Sequence, residues 1–454
     1  MTRYQFSADF VSDSANPDWA AILGRAHADK VRPLCLCKAT APQAMYVAIA
    51  GNGHAIKRMP YTGPLHAAHC DHYEAPPELS GLGQVSGTAI REDPDEDTTL
   101  LSLDFSLSKG RARKAPDGEA AEHDSVRSDG KKLTLRATLH YLLDQAGLSR
   151  WSPRMEGKRS WYIVRRELIA AANNKVTKGL ALNDVLFIPE QFNSAMEHEI
   201  DARRKFNLSR LAASNASRML LIGELKDVQK MRVGSGFQAI VKHLPKMPFR
   251  VNEDLYKRIT SRFELELALV NQIEASKILL IGTFSEPRPG IFDLETVSLI
   301  NVNAGYIPFE SSDEFDLLEA LAYRRYSKGL RFNLPGSAPI ASVILHDTPE
   351  PTALYVVPAD ATEAVTTAFG ELAADSGLAQ WMWNCADGEM PPLPLSASEV
   401  ADAKHQAAAG VRPTRLPTSE AARAGSPAAA RHQAIPKPGT DTLFGDELDS
   451  ALPR

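Results

Sequence analysis

Cys35-Leu-Cys37 and, further along, His66-Ala-Ala-His-Cys70 place three of the chain's four cysteines and a histidine in one short N-terminal segment. Thiolates and imidazoles suit a tetrahedral zinc site, and burying four such donors together makes little sense without a cation. Between the two halves, Ala44 to Met59 sets apolar stretches on either side of Gly51-Asn-Gly53, a hairpin turn signal. A short helix over Leu65–Tyr73 would put His66 and Cys70 one turn apart on a common face. The spacing predicts a small β-β-α module in which Cys35, Cys37, His66 and Cys70 hold a structural zinc. His69 and His72 lie near enough to replace His66 as the fourth ligand. The plainer alternative is a set of buried thiols beside a chance histidine cluster. No acidic residue or open position marks the site as catalytic.

Outward from this segment, 454 residues suffice for two or three domains. With 44% hydrophobic residues, 24% charged residues and a net charge of −5, nothing pulls the whole chain toward nucleic acid or anionic membrane. Any such binding requires a local basic patch. No apolar run reaches the ~18 residues of a membrane span, and Met1–Phe10 lacks the layout of a signal peptide. A cytoplasmic protein with no membrane partner is expected, and close-set cysteines in a reducing compartment read as metal ligands. Cys385 stands alone and reads as a buried core thiol.

The expected class is α+β with five segments. Residues 1–107 form the zinc-binding, β-rich module, ending in strands around the acidic turn Arg91–Asp97. Residues 108–131 are a charged linker. Residues 132–213 are helical, with Thr134 and Ser160 as N-caps and Gly147 as a stop, and resemble a helix-turn-helix or winged helix. Residues 214–390 mix strands (Met219–Gly223, Phe237–His243, Lys277–Phe284, Thr296–Val302, Ala341–Leu345, Ala353–Val357) with helices over Leu255–Val270, Glu314–Tyr326 and Ala361–Ala374. Residues 391–454 read as a disordered tail. It ends in Thr440–Asp449, whose apolar pair and acidic run suit docking to a protein partner.

The metal motif is similar in layout to SWIM-type zinc fingers, with its second pair reversed and wider. The stretch 31–357 resembles the bacterial domain-of-unknown-function family 1173, carried by plasmids and integrative conjugative elements. Matching residues include Arg32-Pro-Leu-Cys-Leu-Cys37, Lys57-Arg-Met-Pro60, His66-x3-Cys70, Ser80-Gly-Leu-Gly83, Gly157-Lys-Arg-Ser-Trp161, Leu221–Lys226, Lys242-His-Leu-Pro245, Ile307-Pro-Phe-Glu310 and Lys328-Gly-Leu-Arg-Phe-Asn333. The resemblance implies a home on a mobile element and a task in its transfer, upkeep or conflict with the host.

Two places bear on catalysis. Phe332–Val357 has the outline of a restriction-endonuclease-like core, yet Tyr355-Val-Val357 carries no carboxylate where such enzymes hold Mg²⁺. Glu224-Leu-Lys226, closing an apolar strand, is a second candidate, with Glu190 or Asp201 as partner carboxylate. Basic residues interleave with aromatics: Arg159, Arg165 and Arg166, then Lys242, Arg250, Lys257, Arg258 and Arg262 beside His243, Phe249, Tyr256 and Phe263. Cations beside aromatic rings suit phosphate contact with base stacking. The reading is a non-enzymatic, zinc-stabilised protein that binds DNA or RNA. The alternatives are a metal-dependent nuclease using Glu224 and Lys226, active or degenerate, and a protein–protein adaptor.

Overall fold

The computed structural model describes residues 2–50, 53–107, 130–213, 218–232 and 234–408, and has the mixed α+β character expected. The N-terminal region comprises β1 (Tyr4–Ser7), β2 (Phe10–Ser12), α1 (Trp19–Ala28), β3 (Leu34–Cys35), β4 (Gln43–Ala50) and β5 (Gly53–Arg58). Their sheet runs β2-β1-β3-β4-β5, and α1 packs Leu23 and Ala26 onto Val47 and Ile56. The helix expected over Leu65–Tyr73 does not form. A single 3-10 turn, Gly63–Leu65, gives way to extended backbone at His66. The chain then folds back until Glu74 N donates to Gly63 O (3.3 Å), so His66 and Cys70 sit on a looped turn. The module's helix precedes the hairpin instead of following it.

Next come α2 (Leu82–Val85), β6 (Ile90–Asp93) and β7 (Thr98–Leu101), the last two joined through the acidic turn. Then follow α3 (Leu135–Gln145), β8 (Arg150–Trp151), α4 (Trp161–Ala172), β9 (Lys175–Thr177), β10 (Leu180–Ala181), α5 (Leu182–Val185), β11 (Leu186–Phe187) and α6 (Glu197–Ala213). Thr134 caps α3, its hydroxyl accepting from Ala137 N (3.1 Å), and Gly147 follows it at φ +67°. The segment expected to stand alone at 132–213 is woven into its neighbours. β9 and β10 complete a sheet in the order β10-β9-β7-β6, β8 joins a C-terminal sheet, and β11 pairs with β12 (Met219–Lys230). α3 buries seven consecutive residues, Ala137–Leu143, which leaves no exposed recognition face on it.

After β12 the chain continues as β13 (Phe237–Val241), β14 (Phe249–Val251), α7 (Glu253–Arg262), α8 (Glu264–Gln272), β15 (Lys277–Arg288) and β16 (Ile291–Val302). β12 pairs with both β13 and β15, β13 with β14, β14 with β16, and β16 with β15. The ring therefore closes. Only β14–β16 is parallel, and the two helices lie between the third and fourth strands. Numbered within the ring, the order is 1-2-3-5-4-1, the arrangement of the five-stranded OB-type barrel. A bulge between Leu225 and Asp227 lets β12 bend from one neighbour to the other. Leu221, Val228, Ala239, Val241, Phe249, Val251, Phe284 and Phe292 fill the barrel, and Leu255, Ile259, Phe263 and Leu267 from α7 and α8 pack into the same core. The single helix expected at 255–270 breaks at Phe263, which turns inward. Leu220, Ile222, Leu279 and Ile281 face the other way and pack under α3 and α4, so β12 and β15 are apolar on both faces.

The remaining elements are β17 (Pro308–Phe309), α9 (Ser312–Ala320), β18 (Tyr326–Lys328), β19 (Val343–Leu345), β20 (Thr352–Val357), α10 (Glu363–Asp375), β21 (Ala379–Asn384) and α11 (Ala397–Ala408). Their sheet runs β21-β20-β19-β18-β8. The segment with the nuclease outline supplies only the antiparallel pair β19–β20, with Tyr355 and Val357 buried near Phe369 of α10. The tail begins later than residue 391, because Trp381 Nε1 donates to Pro392 O (3.0 Å) and Arg324 to Pro394 O (2.7 Å). The 108–129 part of the linker and the Thr440–Asp449 motif lie outside the described residues. Among the described residues no helix is long and apolar enough to cross a membrane.

Candidate metal centre and nucleic-acid interface

β3 carries Cys35 into the N-terminal sheet opposite Tyr4, Cys37 follows as the strand ends, and the looped turn returns His66 and Cys70 to them. One donor atom from each of the four lies within 4.8 Å of the others. Cys35 Sγ is 3.7 Å from Cys70 Sγ, and His66 Nδ1 is 3.4 Å from Cys37 Sγ and 3.8 Å from Cys70 Sγ. A tetrahedral ion with sulfur bonds of about 2.3 Å has edges near ~3.8 Å, so this spacing fits a zinc-sized ion. Backbone amides of Ala67 and His72 donate to the sulfurs of Cys37 and Cys70, and the bond from His72 favours the Cys70 thiolate. The hydrogen bond from Cys35 holds the Cys70 thiol down to about 3, while that bond and burial push Cys35 up. Of the histidines left open by sequence, His69 is exposed and His72 Nε2 meets Tyr4 Oη at 2.6 Å. His66 is the imidazole aimed at the thiols, and its Nε2 is buried without a partner.

Glu224 is buried on β12. Tyr306 Oη donates to its Oε1 (2.5 Å) and Lys242 Nζ to its Oε2 (2.9 Å), so both oxygens are engaged. Lys277 Nζ sits 3.9 Å over the Tyr306 ring, and His243, at φ +70°, accepts from Phe192 N. Lys226 lies in the bulge, exposed. The proposed partner carboxylates are held elsewhere, Glu190 by Arg203 and Arg165 and Asp201 by Arg204. Among the described residues the Cys/His group alone gathers three or more potential metal donors. The arrangement is a buried network that fixes β12 against the loop at Tyr306.

The basic candidates separate into two kinds. Arg159 is turned inward: its guanidinium donates to the carbonyls of Gly147, Leu148, Arg150 and Gly305 and touches Met155 Sδ, and burial lowers it to about 10. Arg165 donates to Ile188 O and faces Glu190. Both serve the fold. Arg166 is exposed beside Glu167. Lys242 and Arg250, half exposed, stand on the barrel's outer wall, Arg250 against Asp293 and Lys242 against Glu224. Lys257, Arg258 and Arg262 share the exposed side of α7, with Lys257 paired to Glu253. The aromatics expected to stack bases belong to the core instead: Phe249 and Phe263 are buried, Tyr256 stacks on Phe237 at 3.6 Å, and His243 lies over Trp161.

Strand register assembles an outer row that sequence spacing did not reveal. Gln229 opposes Gln238, Gln238 opposes Arg250, and Arg250 opposes Asp293, one residue from each of β12, β13, β14 and β16. Arg232 in the β12–β13 loop and Arg288 at the β15–β16 turn are exposed at its margins, with no ion-pair partner among the described residues. Only the ring closure brings these loops to one sheet.

Fold and sites together define a mixed α+β protein built on a five-stranded barrel, with a four-donor cluster able to hold a metal ion. The chain belongs to the family described as "Protein of unknown function (DUF1173)", whose profile matches residues 7–386. Neither the curated proteins nor the solved structures yield a match.

Proposed function

We propose that this is a zinc-stabilised, non-enzymatic protein that binds nucleic acid on the outer face of the barrel strands β12–β14, in the transfer or maintenance of a mobile element. The observation that carries the binding claim is the row Gln229–Gln238–Arg250, with Lys242 just past the far end of β13 and Arg232 and Arg288 in the flanking loops. In OB-type barrels the second and third strands and these same two loops form the strand-binding surface. The chemistry agrees: guanidinium and ammonium groups meet phosphates, while glutamine amides offer donors and acceptors to bases. The ion pairs at Arg250 and Lys257 are exposed and individually worth little, so a phosphate can displace the carboxylate. Engagement of Glu224 by Tyr306 and Lys242 supports a non-catalytic role for that residue. The mobile-element setting rests on family resemblance.

The test is fluorescence anisotropy with labelled single-stranded DNA, duplex DNA and RNA over a salt series. Log affinity for a single strand should fall with log salt by about 0.7 per phosphate contacted. Arg250→Ala and the pair Arg232→Ala/Arg288→Ala should weaken binding and flatten that slope. No binding at low salt, or binding indifferent to these changes, removes the proposal.

A further inference from the structure

Away from the barrel face, a cleft of about 670 Å³ opens between the metal-bearing loop and the C-terminal sheet. Its walls are residues 68–82, the stretch 150–155 that includes β8, and the β18–β19 pair. That volume falls in the range that encloses a small organic ligand. The charges inside do not cancel. Lys328 is neutralised by Glu314, Glu74 receives both Arg58 and Arg150, and Arg154 and Arg325 face Asp71 and Asp144, which leaves one positive charge in excess. Arg154 is exposed and has no ion-pair partner among the described residues. Arg325 has only an exposed 3.5 Å contact to Asp71, and its backbone is fixed by the bond from its amide to Asp347 (3.0 Å).

On the sheet side, Ser327 Oγ lies 2.9 Å from His346 Nε2, and Tyr73 packs edge-on against that imidazole with centroids 5.7 Å apart. Burial, aided by Arg325 and Arg150, lowers His346 to about 4, so it is a neutral hydrogen-bonding group at physiological pH. Trp151, Tyr73, Leu79, Phe332 and Ile344 supply apolar surface beside these polar groups. Guanidinium groups, a hydroxyl and a neutral imidazole next to flat apolar walls match a ligand that joins a ring to a phosphate.

We propose that this cleft binds a nucleotide, its phosphate held by Arg154 and Arg325 near Ser327 and its base lying against the Tyr73 and Trp151 side. The ligand is either a free mononucleotide or the phosphorylated end of a strand. The site shares no residue with the barrel face, so either reading can fail alone.

Isothermal titration calorimetry on the full chain, with AMP, GMP, CMP and UMP in turn, tests it. At least one mononucleotide should bind, and its nucleoside, lacking phosphate, should bind about tenfold more weakly or worse. Arg154→Ala/Arg325→Ala and, separately, Ser327→Ala should each weaken binding with circular dichroism unchanged, the first by about tenfold or more. In competition, displacement by a short 5′-phosphorylated oligonucleotide but not by its unphosphorylated form identifies a strand end. Displacement by neither identifies the free nucleotide. Absence of heat with all four mononucleotides at millimolar concentration, equal binding of nucleoside and nucleotide, or variants that bind like the native chain would overturn the assignment. Strand binding on the barrel face should persist in both variants. Its loss there with mononucleotide binding intact would count against this site.

Discussion

On the proposal that the four-donor cluster holds zinc, removing that ion should open the N-terminal sheet and leave the barrel standing. Cys35, His66 and Cys70 are 0%, 1% and 3% exposed, so without a cation their donors face one another with little access to water. The large apolar side chains buried in this region, Tyr4, Ile22, Leu23, Met45, Tyr46 and Val47, contribute about 12 kcal/mol together at roughly 2 kcal/mol each. A structural zinc in a small module contributes about 10–16 kcal/mol, as much as that whole set of contacts. Chelation therefore removes about half of the favourable energy local to β1–β5, while the barrel keeps its own separate core. Hydrogen–deuterium exchange with mass spectrometry should show protection lost across β3, β4 and β5 after chelation and retained in β12–β16. Cys35→Ser should reproduce the chelated pattern. Cys385→Ser, whose thiol burial pushes up to about 12 far from the cluster in sequence, should not. Unchelated protein at the bare polypeptide mass in native mass spectrometry, or exchange unaffected by chelator, refutes the reasoning.

Arg159→Ala strips hydrogen bonds from four carbonyls and should cost about 3 kcal/mol in urea unfolding, with affinity for single strands unchanged. Glu224→Gln should lower stability by about 1–3 kcal/mol through its contacts to Tyr306 and Lys242; Mg²⁺-dependent DNA cleavage by the native chain that this change abolishes would revive the nuclease reading. His140 is fully buried, accepts from Phe332 N (3.0 Å), and is lowered to about 3 by burial, with Arg136 adding to the effect. The folded state refuses a proton that the unfolded chain takes below its ordinary pKa of about 6.5. Its contribution is thus complete above that pH and declines as pH falls toward 3, by about 1.4 kcal/mol per unit, or about 2 kcal/mol at pH 5. Stability curves of the native chain and His140→Gln should converge as the pH is lowered; parallel curves would contradict this.

Local signals were legible where one short stretch carries both pattern and boundary. Thr134 and Gly147 bracket α3, and Val164, Leu168, Ala171 and Ala172 lie on the buried side of α4. The apolar runs at 219 and 277 are strands because both of their faces are buried. The four metal-donor candidates share one site because Cys-x-Cys sits at a strand end and the return loop is short. What sequence could not supply was long-range geometry. The two-residue strands β8 and β11 carry almost no periodic signal, and ring closure depends on β14 meeting β16 through two pairs of residues. An arginine that reaches buried carbonyls, as Arg159 does, has the same spelling as one that faces solvent. Phe249 and Tyr256 looked like stacking rings because sequence alone does not say which side of strand β14 or helix α7 meets the core, and the barrel decides that.

The interleaving of sheets has a consequence for biosynthesis. Thr99 of β7 pairs with Lys175, and Trp151 of β8 pairs with Tyr326, so neither sheet can be finished until long stretches of later chain have left the ribosome. A nascent polypeptide holding β6 and β7 waits with an unpaired edge, a state in which chains stick to one another or recruit chaperones. Shortened forms ending anywhere between those partners inherit the same raw edge permanently and should be recovered as aggregates, even when the cut falls in an exposed turn.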